Sequence, residues 1–286
     1  MKRLLAFLAL LFLLCGCAPT QESAQVAATT APVYEFTERL CQGTGITVTR
    51  LITENVSCLH DYSLSVRQVK AAEGAQMIVL SGAGLEDFME PLLSGKTIAD
   101  SSQNIHLLGC EHEHDHHGHD HDADPHIWLS PENAMVMAKN ICDSLCAQHP
   151  QHKELFEKNL QQLLSDLQAL QDYGKAQLAA LRTRELITFH DGFAYFAEAF
   201  DLTILKAVEE EAGSEASAGE LKELCNLVWS HKLPAIFTEV SGSTGAAEIL
   251  SAETGVPIFT LDMAMSGNSY FDAMYHNIDT VKEALG

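Results

Sequence analysis

The second half of the chain shows the pattern that most constrains the fold, because short apolar runs alternate there with amphipathic segments. The apolar runs are predicted strands at 185–190 (ELITFH), 203–208 (TILKAV), 235–240 (AIFTEV) and 257–262 (PIFTLD). The segments between and after them are predicted helices at 192–200, 217–232, 245–254 and 270–285. Strands that alternate with helices at this spacing predict a parallel sheet flanked by helices.

The first half repeats this alternation less regularly. Predicted strands lie at 26–33, 46–53, 75–80 and 104–108, and predicted helices at 34–41, 65–73 and 84–93. Ser65 and Ser217 each precede a Gln or Glu by three residues, which is the pattern of a capping box at a helix start. Ser130-Pro131 predicts a further helix start, because serine caps well and proline suits the first helical turn.

Residues 151–181 link the two halves and contain leucines at helical spacing. The segment has no proline and a single glycine, Gly174, so we predict one long helix. The fold class is therefore α/β, with two lobes that each hold a mainly parallel sheet flanked by helices. We place the N-terminal lobe at 25–150, the linker helix at 151–182 and the C-terminal lobe at 183–286. A coiled-coil dimer is the alternative interpretation, but the lobes offer the helix surfaces to pack on.

The N-terminus carries a short basic start, Met1-Lys2-Arg3, followed by an apolar run at 4–14. This run is too short to span a bilayer, which needs about 20 residues, so we interpret residues 1–16 as an export signal. Leu14-Cys15-Gly16-Cys17 resembles a bacterial lipobox, which implies acylation of Cys17 after cleavage. Residues 17–24 would be a short tether, and the protein would be extracytoplasmic and lipid-anchored to the cell membrane. A plain signal peptide or an uncleaved anchor is the alternative.

The formal net charge is −22 at pH 7, and the sequence has no cluster of Lys and Arg. This composition argues against nucleic acid as a partner and favours a cationic ligand. Export permits disulfides among the cysteines outside the signal and the lipobox, which are Cys41, Cys58, Cys110, Cys142, Cys146 and Cys225. A pairing of Cys41 with Cys58 is one hypothesis, but the spacing does not settle the connectivity.

Candidate ligand side chains fall at or near the ends of predicted strands. In open parallel sheets, ligands bind beyond the carboxyl ends of the strands. His190 and Asp262 end their strands, His60 lies in the loop after the second strand, and His126 lies two residues after the histidine-rich loop. Three imidazoles and one carboxylate make a tetrahedral Zn²⁺ site, whereas manganese favours more oxygen ligands. Taken singly, each of these residues is more often a helix cap or an ordinary polar side chain.

Residues 111–124 form the histidine-rich loop, whose part 111–122 (EHEHDHHGHDHD) has no apolar residue, so we expect it to lie outside any core. An auxiliary metal-binding role is predicted for its histidines, His112, His114, His116, His117, His119 and His121. Such a loop would either capture metal for the main site or sense zinc abundance. The alternative to any metal-binding role is a solvated acidic spacer with incidental histidines. The loop lacks the Asp of the His-x-His-x-Asp-His pattern, and no predicted helix contains His-Glu-x-x-His, so an enzyme is not predicted.

Four motifs in order resemble those of the zinc ABC-transporter solute-binding lipoproteins of the ZnuA/AdcA type. The motifs are CLHDYSLSVRQVKAAEGAQMIVLSGAGLEDFMEPLL, DPHIWLSPENA, ITFHDGFAYFAEAFDL, and IFTEVSGS with GVPIFTLDMA. The resemblance covers nearly all of the mature chain and implies that His60, His126 and His190 are metal ligands, with Asp262 in the fourth position. Leu59 and the segment LDMAMSG depart from the family pattern, so a water or a loop glutamate is the alternative to Asp262.

The resemblance implies a monomeric receptor that binds Zn²⁺ between its lobes and passes it to the membrane permease of an ABC importer. Such a protein makes and breaks no bond, and its long linker helix implies limited hinge motion. The nearest alternative is a manganese or iron receptor of the same fold, because manganese-binding relatives tend to have a carboxylate ligand in the loop that here contains Glu209, Glu210 and Glu211. A secreted zinc hydrolase is the alternative from another class, with Glu239 as its strand-end candidate base.

Overall fold

The computed structural model describes residues 25–54, 56, 59, 62–109, 123–208, 216–265, 267 and 269–286. Within these residues, the N-terminal lobe is built on a four-stranded parallel sheet with the strand order β2-β1-β3-β4. The strands are β1 Val26–Ala28, β2 Val48–Arg50, β3 Met77–Leu80 and β4 Thr97–Asp100. β1 and β3 are buried along their whole length, as is typical of central parallel strands covered on both faces.

The helices of this lobe are α1 Ala31–Leu40, α2 Val66–Gly74, α3 Glu90–Leu93 and α4 Pro131–Gln148. α2 begins with the predicted capping box, in which Ser65 and Gln68 each accept the backbone N–H of the other with their side chains. α4 begins at the predicted residue, with Ser130 Oγ accepting the backbone N–H of Asn133. Local capping chemistry therefore fixed both helix starts as the sequence indicated.

The predicted long helix is present as α5, Lys153–Gln177, and packs against α1, α4 and the last helix of the chain. A Cβ at Gly174 would lie 2.2 Å from the Phe200 ring, so glycine permits a close approach at this point. The apolar stripe of α5 is buried within the molecule through Phe156, Leu163, Leu167 and Leu170. The leucine pattern is thus satisfied inside one chain, which argues against the coiled-coil alternative.

The C-terminal lobe repeats the architecture with a second parallel sheet in the order β6-β5-β7-β8. Its strands are β5 Glu185–Thr188, β6 Thr203–Ala207, β7 Ile236–Glu239 and β8 Ile258–Leu261. Its helices are α6 Ala194–Ala199, α7 Ala218–His231, α8 Gly245–Thr254 and α9 Tyr270–Leu285. The strand order places the carboxyl ends of β5, β7 and β8 side by side at one edge of the sheet.

A continuous hydrophobic core connects the two lobes. It includes Phe36 of α1, Trp128 before α4 and Tyr270 of α9. A smaller cluster lies within the C-terminal lobe around Ile236 and Leu250. The lobes are therefore joined by packing as well as by α5.

The predicted strand at 104–108 is wrong, and the fourth strand of the first sheet is β4. Asn104 has a left-handed backbone, with φ of 63°, and the side-chain amide of Asn140 donates to the carbonyls of Ser101 and Gln103. The chain therefore turns where a strand was expected. β4 lies at the sheet edge with only Ala99 fully buried, so it lacks the apolar run that marks a strand in sequence.

Other predictions differ in extent. The helix predicted at 34–41 begins earlier, as α1 at Ala31, and the strand predicted at 46–53 is limited to Val48–Arg50. The strand predicted at 26–33 ends at Ala28, because Ala31-Pro32 starts α1 and proline suits a first helical turn. The helix predicted at 84–93 divides into a 3-10 turn, Asp87–Met89, and α3. Pro91 lacks the N–H group that a continuous helix would need at that position.

The N-terminal predictions lie outside the described residues, including the signal, the tether and the acylated Cys17. No helix in the described part of the chain is long and apolar enough to cross a membrane. The described cysteines are free thiols, namely Cys41, Cys142, Cys146 and Cys225. A free Cys41 does not support its pairing with Cys58, which, like Cys110, is not among the described residues.

Candidate metal centre

Polar side chains from both lobes meet between the two sheets. His190 follows β5, Glu239 ends β7 and Asp262 follows β8, and β7 lies between β5 and β8 in the sheet. His126 comes from the other lobe, directly before the 3-10 turn Ile127–Leu129. The ring centroids of His126 and His190 are 5.5 Å apart, and their planes are inclined by 82°. Two imidazoles from opposite lobes therefore face each other across one cleft.

Asp124 holds the His126 ring in a fixed orientation. Its Oδ1 accepts the backbone N–H of His126 at 2.9 Å and lies 2.8 Å from the ring Nδ1. The carbonyl of Asp124 accepts the hydroxyl of Tyr195 at 2.9 Å, and His126 is only 3% exposed. A carboxylate at Nδ1 favours the tautomer with the proton on that nitrogen, which leaves the Nε2 lone pair for a metal.

His190 packs tightly against a glycine and a methionine. A Cβ at Gly192 would lie 2.8 Å from His190 Cδ2 and 2.5 Å from Met263 Cε. Nδ1 of His190 lies 3.7 Å from Glu239 Oε2. Only glycine fits between the ring and the methionine, so the packing restricts the orientation of this second imidazole.

Glu239 is the buried carboxyl group of the site, with a side chain that is 2% exposed. Burial raises its pKa from 4.5 to about 7, while a backbone hydrogen bond from Ser241 and the charge of His126 oppose this rise and the charge of Asp262 adds to it. Its Oε2 has no hydrogen-bond partner among the described residues. A nearby cation would stabilise the ionised form of such a group.

Asp262 is fixed by its own lobe. Its backbone N–H donates to Asn277 Oδ1 at 2.7 Å, and Asn277 Nδ2 donates to its carbonyl at 2.7 Å. Oδ1 of Asp262 accepts the N–H of Ala264 at 2.7 Å, and Ala264 adopts a left-handed backbone with φ of 58°. Because Oδ1 is already bonded, Oδ2 is the oxygen that remains for a metal.

The structure brings two of the predicted ligands, His126 and His190, together, and His126 and Asp262 both lie near enough to Glu239 to influence its pKa. Within the described residues, no three His, Cys, Asp or Glu side chains are close enough to form a complete metal site. His60 lies outside those residues and its role stays a prediction. The same holds for the histidines of 111–122 and for Glu209, Glu210 and Glu211.

Two carboxylates of the site were not assigned to it from sequence. Asp124 stands two residues before His126, so the local spacing Asp-x-His was the available signal. Glu239 was noted only as a candidate base for a hydrolase. Its place beside His190 depends on the order of strands in the sheet, which local sequence does not reveal.

Comparison with known proteins identifies the family. The model of the family described as zinc-uptake complex component A periplasmic, ZnuA, matches residues 26–284. This chain belongs to the ZnuA family. The resemblance to zinc ABC-transporter solute-binding proteins is therefore confirmed.

Relatives in the family carry both zinc and manganese in their names. AdcA, a zinc-binding lipoprotein of Streptococcus pneumoniae serotype 4, is 31% identical over 302 residues, which cover 98% of this chain and 60% of AdcA. The chain thus spans about three fifths of that relative's length. ZnuA of Bacillus subtilis, a high-affinity zinc uptake system protein, is 30% identical over 96% of this chain and 94% of its own length. PsaA, a manganese ABC transporter substrate-binding lipoprotein of S. pneumoniae, is 26% identical over 79% of this chain and 78% of its own length.

The fold agrees with that of a solved family member. A crystal structure of ZnuA matches with a TM-score of 0.80 at 28% sequence identity, covering 92% of this chain and 100% of that structure. The predicted fold class, two parallel-sheet α/β lobes with a long helix between them, is confirmed.

Proposed function

We propose that this ZnuA-family protein is an extracytoplasmic receptor that binds Zn²⁺ between its lobes and delivers it to the membrane permease of an ABC importer. The observation that carries the proposal is the meeting of His126 and His190, from opposite lobes, with ring centroids 5.5 Å apart. One imidazole from each lobe allows a single ion to bridge the cleft. Each ring also has a carboxylate at its Nδ1 side, which is the usual support of a metal-binding histidine.

The ligand set that we propose is His60 and His126 from the N-terminal lobe and His190 and Asp262 from the C-terminal lobe. His126 would bind through Nε2, because Asp124 occupies its Nδ1, and Asp262 would bind through Oδ2. Imidazole-rich sets with one carboxylate are typical of four-coordinate zinc. The site would carry a net positive charge, because one carboxylate only partly neutralises Zn²⁺ and the three imidazoles are neutral. The ionised carboxylate of the neighbouring Glu239 would balance the remaining charge.

The chemistry of this site is binding and release, and the proposal includes no catalytic step. Histidine ligands must be deprotonated to bind zinc, so the affinity should fall as the pH drops through about 6.5. The family comparisons give no support to a hydrolase.

We also propose that the mature protein is a monomer anchored to the cell membrane by acylated Cys17. The lipobox at Leu14-Cys15-Gly16-Cys17 supports the anchor, as do the lipoprotein names of AdcA and PsaA. Within this proposal, the histidine-rich loop binds additional zinc weakly, and no single histidine in it is essential for the main site.

A manganese receptor is the second candidate. The likeness to PsaA favours it, and so do the carboxylates Asp124, Glu239 and Asp262 around the cleft, because manganese prefers oxygen ligands. Competition between Zn²⁺ and Mn²⁺ for the purified metal-free protein separates the two candidates. Tighter binding of manganese than of zinc would replace the first proposal by the second.

A zinc titration of variants tests the ligand set. We expect His60→Ala, His126→Ala and His190→Ala each to lower zinc affinity by more than about 100-fold, since they remove ligands rather than supporting groups. Deletion of 111–122 should retain one high-affinity site and lose only weak additional binding. Loss of tight binding in the deletion alone would show that the ligand assignment is wrong.

His231→Ala is a matched control for these variants. His231 ends α7 and its Nδ1 lies 2.9 Å from Glu185 Oε2, with both side chains partly exposed. It belongs to the same lobe as His190 but not to the cleft. Its removal should leave zinc affinity unchanged.

A further inference from the structure

Arg50, at the end of β2 in the N-terminal lobe, reaches across the cleft to the other lobe. Its Nη2 donates to the carbonyl of Met265 at 2.6 Å and its Nη1 to the carbonyl of Gly267 at 3.2 Å. Its Nε donates to Ile52 within its own lobe at 2.6 Å. The guanidinium is therefore fixed in its own lobe and holds two backbone oxygens of the segment that follows Asp262.

Trp128 holds the same segment at a third carbonyl. Its indole Nε1 donates to the carbonyl of Met263 at 2.8 Å, and Trp128 is fully buried. The carbonyls of alternate residues 263, 265 and 267 thus all accept donors from the N-terminal lobe. We call the pair Arg50 and Trp128 the interlobe clamp.

The clamped segment is directly connected to the carboxylate of Asp262. Asp262 Oδ1 accepts the N–H of Ala264, which lies between two clamped residues. A Cβ at Gly267 would be 3.9 Å from Asp262 Oδ2, so the segment folds back over the oxygen that is left for a metal. Movement of the carbonyls of Met265 and Gly267 would therefore displace the surroundings of that oxygen.

We propose that Arg50 and Trp128 are positioning residues that hold Asp262 in the metal cleft and thereby couple zinc retention to the docking of the two lobes. This inference rests on the proposed zinc-receptor function and adds residues that touch no metal. Loss of the clamp should free the segment after Asp262, so that bound zinc dissociates faster. Lysine at position 50 cannot fully replace Arg50, because its ammonium group lacks the planar fork of guanidinium N–H groups that bonds two carbonyls at once.

The test measures zinc dissociation into excess chelator for the full-length protein and its variants. We expect Arg50→Gln to accelerate dissociation by about 10- to 100-fold, the range typical of lost support to a metal ligand, and Arg50→Lys to give an intermediate rate. In the background of Asp262→Asn, Arg50→Gln should add little, because the two changes remove the same interaction. If Arg50→Gln accelerated zinc dissociation equally in the unchanged protein and in Asp262→Asn, the proposal would be overturned.

Arg184→Gln provides a matched control. Arg184 also donates to three carbonyls, those of Leu178, Phe200 and Asp201, at 3.0 to 3.1 Å, but none of these belongs to the N-terminal lobe or the cleft. We expect this change to lower the melting temperature about as much as Arg50→Gln while zinc dissociation stays unchanged. An equal acceleration in both variants would mean that Arg50 acts only through general stability.

Deuterium exchange of the metal-free protein tests the clamp independently of zinc. Arg50→Gln should increase exchange in peptides that cover 262–269, and Arg184→Gln should not. If the unchanged protein bound no zinc tightly, the proposed function would fail, and the exchange experiment would still decide whether the clamp holds the segment. Unchanged exchange in Arg50→Gln would refute the clamp even in a protein that binds zinc.

Discussion

Glu239 Oε2 lies 3.7 Å from Nδ1 of His190, beyond hydrogen-bond distance, so both imidazoles of the cleft have a carboxylate near the same nitrogen. At His126 the corresponding contact, to Asp124 Oδ1, is 2.8 Å long. A carboxylate at hydrogen-bond distance, as at His126, keeps the proton on Nδ1 and raises the basicity of Nε2. The carboxylate therefore supports metal binding more strongly at His126 than at His190, and variants of the two carboxylates can measure this difference.

Asp124→Asn should lower zinc affinity by about 10- to 100-fold, because the charge that supports the His126 ring is lost. The asparagine oxygen can still accept the backbone N–H of His126, so the fold should survive. Competition with a chelator of known affinity measures the effect. Asp201→Asn, at a side chain that is 91% exposed, is the control and should change nothing.

Glu239→Gln should weaken zinc binding and at the same time raise the melting temperature of the metal-free protein near pH 8. The charge supports His190 in the proposed complex, whereas without metal it is a buried carboxylate whose desolvation is unfavourable. Thermal unfolding and zinc titration of the same sample test both effects. A variant that is less stable and binds zinc normally would contradict the role of Glu239 at the site.

Gly192→Ala should reduce zinc affinity by roughly tenfold, because the new methyl group would displace the His190 ring or Met263. Met263→Ala in the same chain makes room for the methyl group and should restore part of the affinity. Gly219→Ala is the control, since a Cβ there would meet only Ser217 Oγ at 3.8 Å. Failure of the second change to restore any affinity would show that the effect is not steric.

Glu86 should make the stability of the metal-free protein depend on pH. Its carboxyl accepts the Thr29 hydroxyl at 2.5 Å and the N–H groups of Ser81 and Gly82 at 2.8 and 3.0 Å, and burial raises its pKa from 4.5 to about 7. The folded state therefore keeps a proton that the unfolded chain releases above about pH 4.5. The stability from this group is complete below that pH and is lost as the pH rises towards 7.

Glu86→Gln should remove this part of the pH dependence. Relative to the unchanged protein, its free energy of unfolding should rise between about pH 5 and about pH 8, by about 1.4 kcal/mol for each unit of pKa shift. Urea unfolding with chelator present measures the difference, and Glu90→Gln, at an exposed position in α3, is the control. Parallel stability curves for Glu86→Gln and the unchanged protein would show that Glu86 ionises normally.

The sequence determined the elements whose signals are local. α8 and α9 have the predicted bounds, and the starts of α2 and α7 follow from the capping boxes at Ser65 and Ser217. Capping, proline placement and apolar periodicity act over a few residues, so they can be seen without the fold. The motif spacing likewise indicated His126, His190 and Asp262, and only tertiary structure could show that the first two approach one another.

Tertiary structure alone decided where β4 lies, which strands are neighbours and which side chains support the site. β4 forms at Thr97–Asp100 because it pairs with the edge of β3, although its own sequence has little apolar character. Glu239 meets His190 because β7 pairs with β5, and Arg50 meets the segment after Asp262 because the lobes dock. Such contacts join residues far apart in the chain, and no local preference encodes them. The sequence by itself thus indicated candidate ligands of the proposed centre, whereas packing between strands and lobes determined how their side chains are held.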